Sequence, residues 1–288
     1  MPAKCIMLQG TASHVGKSIL AAGLCRLFAQ EGFRVAPFKS QNITLNVYLT
    51  TKGEEIGIAQ GLQAEAAGIK PAVEMNPLLL QLKKGMAARV IVMGRPLGKM
   101  GGWEYRENYY PQGLAVVKKA LRKLRREYEI LVIEGAGSPA EVNLKERDLA
   151  NMQVASLADA PVILVADIDK GGAFAALVGT LELLEPGERE RVAGFIINKF
   201  RGERRLLQPA LAFLEERTGL PVLGVVPFLN NLEIEEEDSR FSSLSEKSME
   251  EEEEAAVQRR NRETSYNHLA TMLRTELDLK QLYAIMGF

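Results

Sequence analysis

Nine consecutive residues, Gly10-Thr11-Ala12-Ser13-His14-Val15-Gly16-Lys17-Ser18, hold the groups best suited to chemistry. They follow the apolar run Cys5-Ile6-Met7-Leu8 and open an amphipathic stretch from Ile19 to Phe28. A strand, a glycine-bounded loop and a helix in that order make an anion cradle. Gly10, Thr11, Ser13 and Gly16 shape its backbone, so that N–H groups and the helix N-terminus face a phosphate. Lys17 can reach the terminal phosphates, and the Ser18 hydroxyl can ligate Mg²⁺. The spacing is that of a subset of phosphate loops: Thr11 stands where the first glycine is usual, with Gly10 one residue earlier. The segment predicts a nucleotide site.

Other candidates lie at the ends of apolar runs. Lys39 follows Val35-Ala36-Pro37-Phe38, where a cation can neutralise a transferring phosphoryl group or a carboxylate under activation. Gln41, Asn42 and Asn46 come next, with amides suited to a substrate. Glu134 closes Ile130-Leu131-Val132-Ile133, a position from which a carboxylate can hold Mg²⁺ directly or through water. Asp167 and Asp169 compete for that task, and the residues alone do not rank the three. Asn198 follows Phe195-Ile196-Ile197, and its amide matches the donor–acceptor edge of adenine. His14, inside the loop, is given no role. Trp103, Tyr105, Tyr109 and Tyr110 read as core packing or a lid rather than as a base-stacking platform.

These side chains need a scaffold that brings strand ends together. Candidate strands are 5–9, 35–39, 90–93, 130–134, 161–167, 194–198 and 222–226, separated by helix-period segments near 17–30, 113–128, 149–157, 172–184 and 207–218. Apolar strands alternating with helices predict an α/β fold, a doubly wound and mostly parallel sheet with helices on both faces. Such sheets build their sites at the carboxyl ends of the strands. Beyond Pro227 the composition shifts to the acidic Glu233–Asp238, the serine-rich Ser242–Ser248 and the unbroken run Glu250–Glu254. That stretch reads as a solvated linker or a helix face. Tyr266, Leu269, Leu273 and Leu277 then restore a helical stripe suited to docking on the body.

Composition narrows the function classes. Thirty-six basic against 37 acidic residues give a formal net charge of -1, which argues against a nucleic-acid partner. No run is long enough to span a bilayer, so no membrane partner is expected. The two cysteines, Cys5 and Cys25, sit in apolar segments without metal or redox spacing, and a cytoplasmic location is the expectation.

The phosphate-loop segment, Pro37-Phe38-Lys39-Ser40-Gln41-Asn42, Ala64-Glu65-Ala66-Ala67-Gly68, Ile133-Glu134-Gly135-Ala136-Gly137-Ser138-Pro139-Ala140-Glu141, Asp167-Ile168-Asp169-Lys170-Gly171-Gly172 and Leu223-Gly224-Val225-Val226-Pro227 occur in this order. As a set they closely resemble the cobyric acid synthase family, amidotransferases of cobalamin biosynthesis. That family belongs to the dethiobiotin synthetase-like phosphate-loop NTPase superfamily. The resemblance runs from the start of the chain to about Asp238. It implies an ATP-dependent synthetase domain over 1–232, an acidic linker over 233–264 and a C-terminal helix over 265–288. It further implies that ATP phosphorylates a peripheral carboxylate of an adenosylated cobyrinic acid diamide, and that ammonia attacks the acyl phosphate. By the same resemblance Lys17 and Ser18 serve ATP and Mg²⁺, Glu134 serves Mg²⁺, and Lys39 steadies the carboxylate or acyl phosphate. Asn198 would then contact adenine, and Gln41, Asn42, Asn46 and Asn76 would face the corrinoid.

Two departures from the family pattern carry consequences. Members normally bear a glutaminase domain, whereas no cysteine follows residue 227 here, so ammonia is expected free or from a separate glutaminase. Gln81-Leu82 and Ala88-Arg89 stand where the family has Lys-Pro and Ser-Gln, which predicts altered corrinoid recognition, with Lys83, Lys84 and Arg89 as compensating cations. The alternative function is a paralogue that binds ATP, and a corrinoid, without turnover. A partitioning-type ATPase is disfavoured because the loop lacks the early lysine of that group. A homodimer is left open.

Overall fold

The computed structural model describes residues 2–82, 87–229 and 249–288. The chain begins with β1 (Lys4–Gly10), α1 (Lys17–Gln30) and β2 (Val35–Phe38), followed by three short strands: β3 (Gln41–Thr44), β4 (Val47–Leu49) and β5 (Glu55–Gly57). Next come α2 (Ile58–Ala66), β6 (Leu78–Gln81), β7 (Ala87–Val92), β8 (Arg95–Gly101), α3 (Gly102–Asn108) and α4 (Tyr110–Glu127). The second half alternates more regularly, as β9 (Ile130–Glu134), α5 (Met152–Ala158), β10 (Val162–Asp167), α6 (Ala173–Leu183) and the short α7 (Pro186–Arg189). It finishes with β11 (Val192–Phe200), α8 (Arg204–Thr218), β12 (Val222–Pro227), α9 (Met249–Glu276) and α10 (Leu279–Met286).

Six strands form the central sheet in the order β12-β11-β10-β1-β9-β2, with every pairing parallel. Their composition explains this. β1, β9 and β10 are almost wholly buried, as strands covered on both faces must be. Alternate residues serve opposite faces: Cys5 and Met7 pack with α4, α5, α6 and α8, while Ile6 and Leu8 pack with α1, α9 and α10. β1 lies at the switch point, because its successor β2 crosses to one side and β10 lies on the other. The loops after β1 and β9 therefore open onto one crevice.

The strand expected over 90–93 lies elsewhere. Val90–Val92 belong to β7, in a second sheet of order β3-β6-β7-β8, antiparallel to both neighbours. This small sheet grows from the end of β2, and β3 pairs parallel with β6. β4 and β5 form a separate antiparallel pair beside it.

The carboxyl-terminal segment also departs from expectation. The helix begins at Met249, inside the stretch read as a linker, and stops at Glu276 rather than running on to the end. The break has a cause: Asp278 donates its N–H to Leu223 O at 2.7 Å, and its side chain caps α10 by accepting from Gln281 N at 2.9 Å. Residues 230–248, which include the rest of the linker from 233 onward, lie outside the described residues. α9 packs along α1, with Tyr266, Leu269 and Leu273 at 1 % exposure or less. Burial of each such side chain is worth about 1.5–3 kcal/mol. Gly23 of α1 permits the approach, since a Cβ there would come within 2.5 Å of Leu273 Cδ1.

Candidate functional site

The phosphate loop leaves β1 where β10 and β11 hold it from behind. Thr11 N donates to Val165 O at 3.0 Å, so Thr11 is taken up by the sheet. Gly16 has φ 93 and starts α1; a side chain there would collide with the Asn198 amide, so glycine is required twice over. Asn198 Nδ2 donates to Val15 O at 2.8 Å, and Lys199 Nζ donates to His14 O at 2.7 Å. The Asn198 amide nitrogen is thus engaged in fixing the phosphate loop, a use that its position in sequence does not disclose. His14 takes the left-handed conformation at φ 59. These contacts fix the loop backbone from behind.

A cavity of about 280 Å³ opens in front of the loop. One wall carries Ser13, Gly16, Lys17, Ser18, Lys39 and Glu134, and another carries Ile43, Leu45 and Leu82. Lys17 Nζ donates to Ala12 O at 3.1 Å and to Gly137 O at 3.3 Å, spanning the gap between the loops after β1 and β9. Gly10 makes room for that lysine, because a Cβ on it would lie 2.7 Å from Lys17 Nζ.

Glu134 gathers most of the charge. Lys39 Nζ donates to its Oε1 at 2.9 Å, Ser18 Oγ donates to the same oxygen at 2.8 Å, and Gln63 Nε2 donates to Oε2 at 2.9 Å. The Lys39 and Glu134 side chains are 4 % and 1 % exposed, so this ion pair is desolvated. Burial by itself would push the Glu134 carboxyl up. The Lys39 ammonium, the Gln63 amide and the Lys17 charge outweigh it and hold the group below the ordinary carboxylate range.

Of the three carboxylates left open by the sequence, Glu134 alone lies against Ser18. Asp167 pairs with Lys199 at 3.2 Å, Asp169 pairs with Arg201 at 3.0 Å, and neither lines the cavity. Ser18 and Glu134 offer two hard oxygens side by side, which fits Mg²⁺. That ion keeps several waters and takes its other ligands from substrate phosphates, so it needs no larger protein cage.

The expected substrate residues are spread more widely. Asn42 lines the cavity. Gln41 Oε1 accepts from Tyr105 OH at 2.9 Å, and Tyr105 stacks on Tyr109 with centroids 5.6 Å apart. The aromatic cluster is thus partly core, although Trp103 is 74 % exposed. Asn46 closes the turn after β3, its N–H donating to Thr44 Oγ1 at 3.2 Å. Asn76 is buried and bonded to backbone on every side: Gly57 N donates to its Oδ1 at 2.8 Å, while its Nδ2 donates to Lys39 O at 2.9 Å and Leu78 O at 3.1 Å. It ties β2, β5 and β6 together instead of facing the cavity. Arg89 makes a bidentate pair with Glu55 at 2.6 and 2.9 Å and donates to Gln81 Oε1 at 3.1 Å, so it is not spare charge for an anion. Lys83 and Lys84 lie outside the described residues.

Gln60 and Gln63 were not among the expected residues. Both sit in α2, at 0 % and 1 % exposure, on a helix that is otherwise nearly all apolar or small. Two glutamines at i and i+3 within such a helix are the available signal. It is weak, because a short helix can as easily turn them to solvent.

An all-parallel central sheet with a phosphate loop, a loop lysine, a hydroxyl and a strand-end carboxylate defines a phosphate-loop nucleotide-binding protein. Residues 6–241 match the family described as the CobQ/CobB/MinD/ParA nucleotide binding domain, and the chain belongs to that family. The cobyric acid synthase of Desulforamulus reducens is 63 % identical over 237 residues, which is 82 % of this chain and 46 % of that protein. That of Pelotomaculum thermopropionicum is likewise 63 % identical over 237 residues, 82 % of this chain and 45 % of its own length. The chain therefore spans about half the length of the relatives it matches. Among solved structures, chloroplast FtsY from Physcomitrella patens aligns with a TM-score of 0.47 at 19 % identity, covering 78 % of this chain and 58 % of that one. No helix among the described residues is long and apolar enough to cross a membrane.

Proposed function

We propose that this chain is the ATP-dependent synthetase part of a cobyric acid synthase, acting in cobalamin biosynthesis. The observation that carries the reading is the meeting of Lys17, Ser18, Lys39 and Glu134 on one wall of a single cavity. Backbone N–H groups of the phosphate loop and the start of α1 receive the phosphates of ATP. Lys17 leaves the Ala12 and Gly137 carbonyls to reach the terminal phosphates. Ser18 and Glu134 hold Mg²⁺, which when bound neutralises charge on the phosphate oxygens.

The substrate carboxylate, on an adenosylated cobyrinic acid diamide, enters beside Lys39 and Asn42. One carboxylate oxygen attacks the γ-phosphorus, the bond to the bridging oxygen breaks, and ADP leaves. Lys39 reduces the repulsion between the two anions. Ammonia from outside this chain then attacks the acyl carbon. Phosphate departs with the oxygen it gained, a proton is lost from nitrogen, and the amide remains. Most of the acceleration comes from placement and charge, because phosphoryl transfer asks for little covalent chemistry from the protein.

The test is phosphate release from ATP with Mg²⁺, ammonium and adenosylated cobyrinic acid diamide. Release should require all four, with amide formed in step with phosphate. Tight ATP and corrinoid binding with no phosphate release would instead favour a binding paralogue.

A further inference from the structure

Glu134 is held by more than its ion pair. Gln63 Nε2 donates to Glu134 Oε2 at 2.9 Å, Gln60 Nε2 donates to Gln63 Oε1 at 3.4 Å, and Asn42 Nδ2 donates to Gln60 Oε1 at 3.4 Å. All four residues are at most 2 % exposed. The ionised carboxylate at one end can only accept, so it fixes the orientation of each amide in turn. Gln63 must present nitrogen to Glu134 and oxygen to Gln60. Gln60 must present nitrogen to Gln63 and oxygen to Asn42. At the far end Asn42 Oδ1 accepts from Ile43 N at 2.8 Å, which closes the chain. No member can flip without leaving a buried donor facing a donor, at a cost of about 1–3 kcal/mol. Gln63 also donates to Ser18 O at 3.2 Å, so one side chain touches both residues of the proposed magnesium site.

We propose that Asn42, Gln60 and Gln63 form a positioning relay, which fixes the Glu134 carboxylate for Mg²⁺ and couples it to whatever occupies the Asn42 side of the cavity. The inference rests on the nucleotide reading above and deepens it, since it assigns roles to two residues of α2 that never meet a phosphate. Gln63 is a positioning residue: it touches neither nucleotide nor reacting carboxylate and acts through Glu134. A substrate that takes up the Asn42 amide pulls on the same chain that orients Glu134. Each ligand thereby alters the affinity for the other by one reciprocal factor.

Calorimetry on the full chain separates the two halves of this idea. ATP binding is titrated in EDTA and across a series of Mg²⁺ concentrations, with and without cobyrinic acid diamide. Gln63→Leu should leave ATP affinity in EDTA within about twofold while raising the half-maximal Mg²⁺ concentration about tenfold, as loss of one charge-assisted hydrogen bond implies. Gln60→Leu breaks the relay one link further away. It should shrink the reciprocal coupling between Mg·ATP and corrinoid binding while changing the Mg²⁺ half-point less than Gln63→Leu does. Thermal melts establish that each variant is folded, and Gln60→Leu carries the test if Gln63→Leu is not. Absence of Mg²⁺-dependent ATP binding in the unaltered chain overturns the nucleotide reading and the relay together. Mg²⁺-dependent binding that the folded variants leave unchanged overturns the relay alone.

Discussion

Replacing Lys39 by Met removes the cation from a desolvated pair while keeping most of its volume. Among the described residues, Glu134 then keeps Ser18 and Gln63 as direct side-chain donors at 1 % exposure. Breaking a buried pair by deleting one partner costs roughly 3–5 kcal/mol, and the two remaining hydrogen bonds place this case near the lower end. At about 2–4 °C per kcal/mol for a domain of this size, the melting temperature should fall by about 6–12 °C at pH 7.5. The pH dependence has a definite sign. In the unaltered protein the folded-state pKa of Glu134 lies below the ordinary value of 4.5. Its stabilisation is therefore complete above that value and is lost only as pH falls below it. In Lys39→Met, burial dominates and the carboxyl moves above the ordinary value. The variant's deficit should then shrink as pH is lowered from 7.5 toward 5, because the protonated acid tolerates burial. Lys39→Met with Glu134→Gln should recover most of the loss. Melting curves of the three proteins at several pH values provide the assay. A deficit independent of pH, joined to no recovery in the double variant, would refute the charge argument.

Lys17→Ala should weaken Mg·ATP binding by roughly 1.5–3 kcal/mol, about tenfold to a hundredfold, in calorimetry. The chain should release no glutamate from glutamine, because both cysteines are buried and burial raises the thiols, Cys5 to about 11 and Cys25 further still; steady glutamate formation would contradict this. Gly23→Val should destabilise the α1–α9 contact by about 1–3 kcal/mol, and Leu273→Ala in the same chain should return part of it. Arg89→Gln alone should reduce stability by freeing Glu55 from its bidentate pair, and chemical denaturation checks the direction.

The placement of the phosphate loop, Lys39 and Glu134 is legible because contiguous strings put them at strand ends, and a parallel sheet brings such ends together. What the strings could not convey was side-chain direction. Asn198 has the right address, but its amide nitrogen is turned onto Val15 O, and Asn76 is spent on backbone. Gln60 and Gln63 act through a contact to Glu134 that lies 71 residues away from Gln63 in sequence. The second sheet and the separate β4–β5 pair escape such a reading because β3, β4, β5 and β6 are only three or four residues long. Their pairing depends on partners that no local pattern announces. The run at 250–254 is ambiguous in another way. Charge fits a linker or a helix face, Glu and Ala are good helix formers, and α9 passes through it.

The docking of α9 on α1 also sets an order of events during synthesis. Arg26 of α1 meets Asn267 of α9 across 241 residues of chain. The apolar face of α1 that Leu269 and Leu273 cover is made early and waits for the 241 residues that separate Arg26 from Asn267. At about 5–20 residues per second, that wait is on the order of 10–50 seconds. During it, the helix that begins at the nucleotide loop has an uncovered greasy side, a hazard for aggregation. Contacts so distant in sequence also make folding slow. The nascent chain thus has a window in which a chaperone, or an early-bound nucleotide steadying the start of α1, would raise the yield of folded protein without changing the final state.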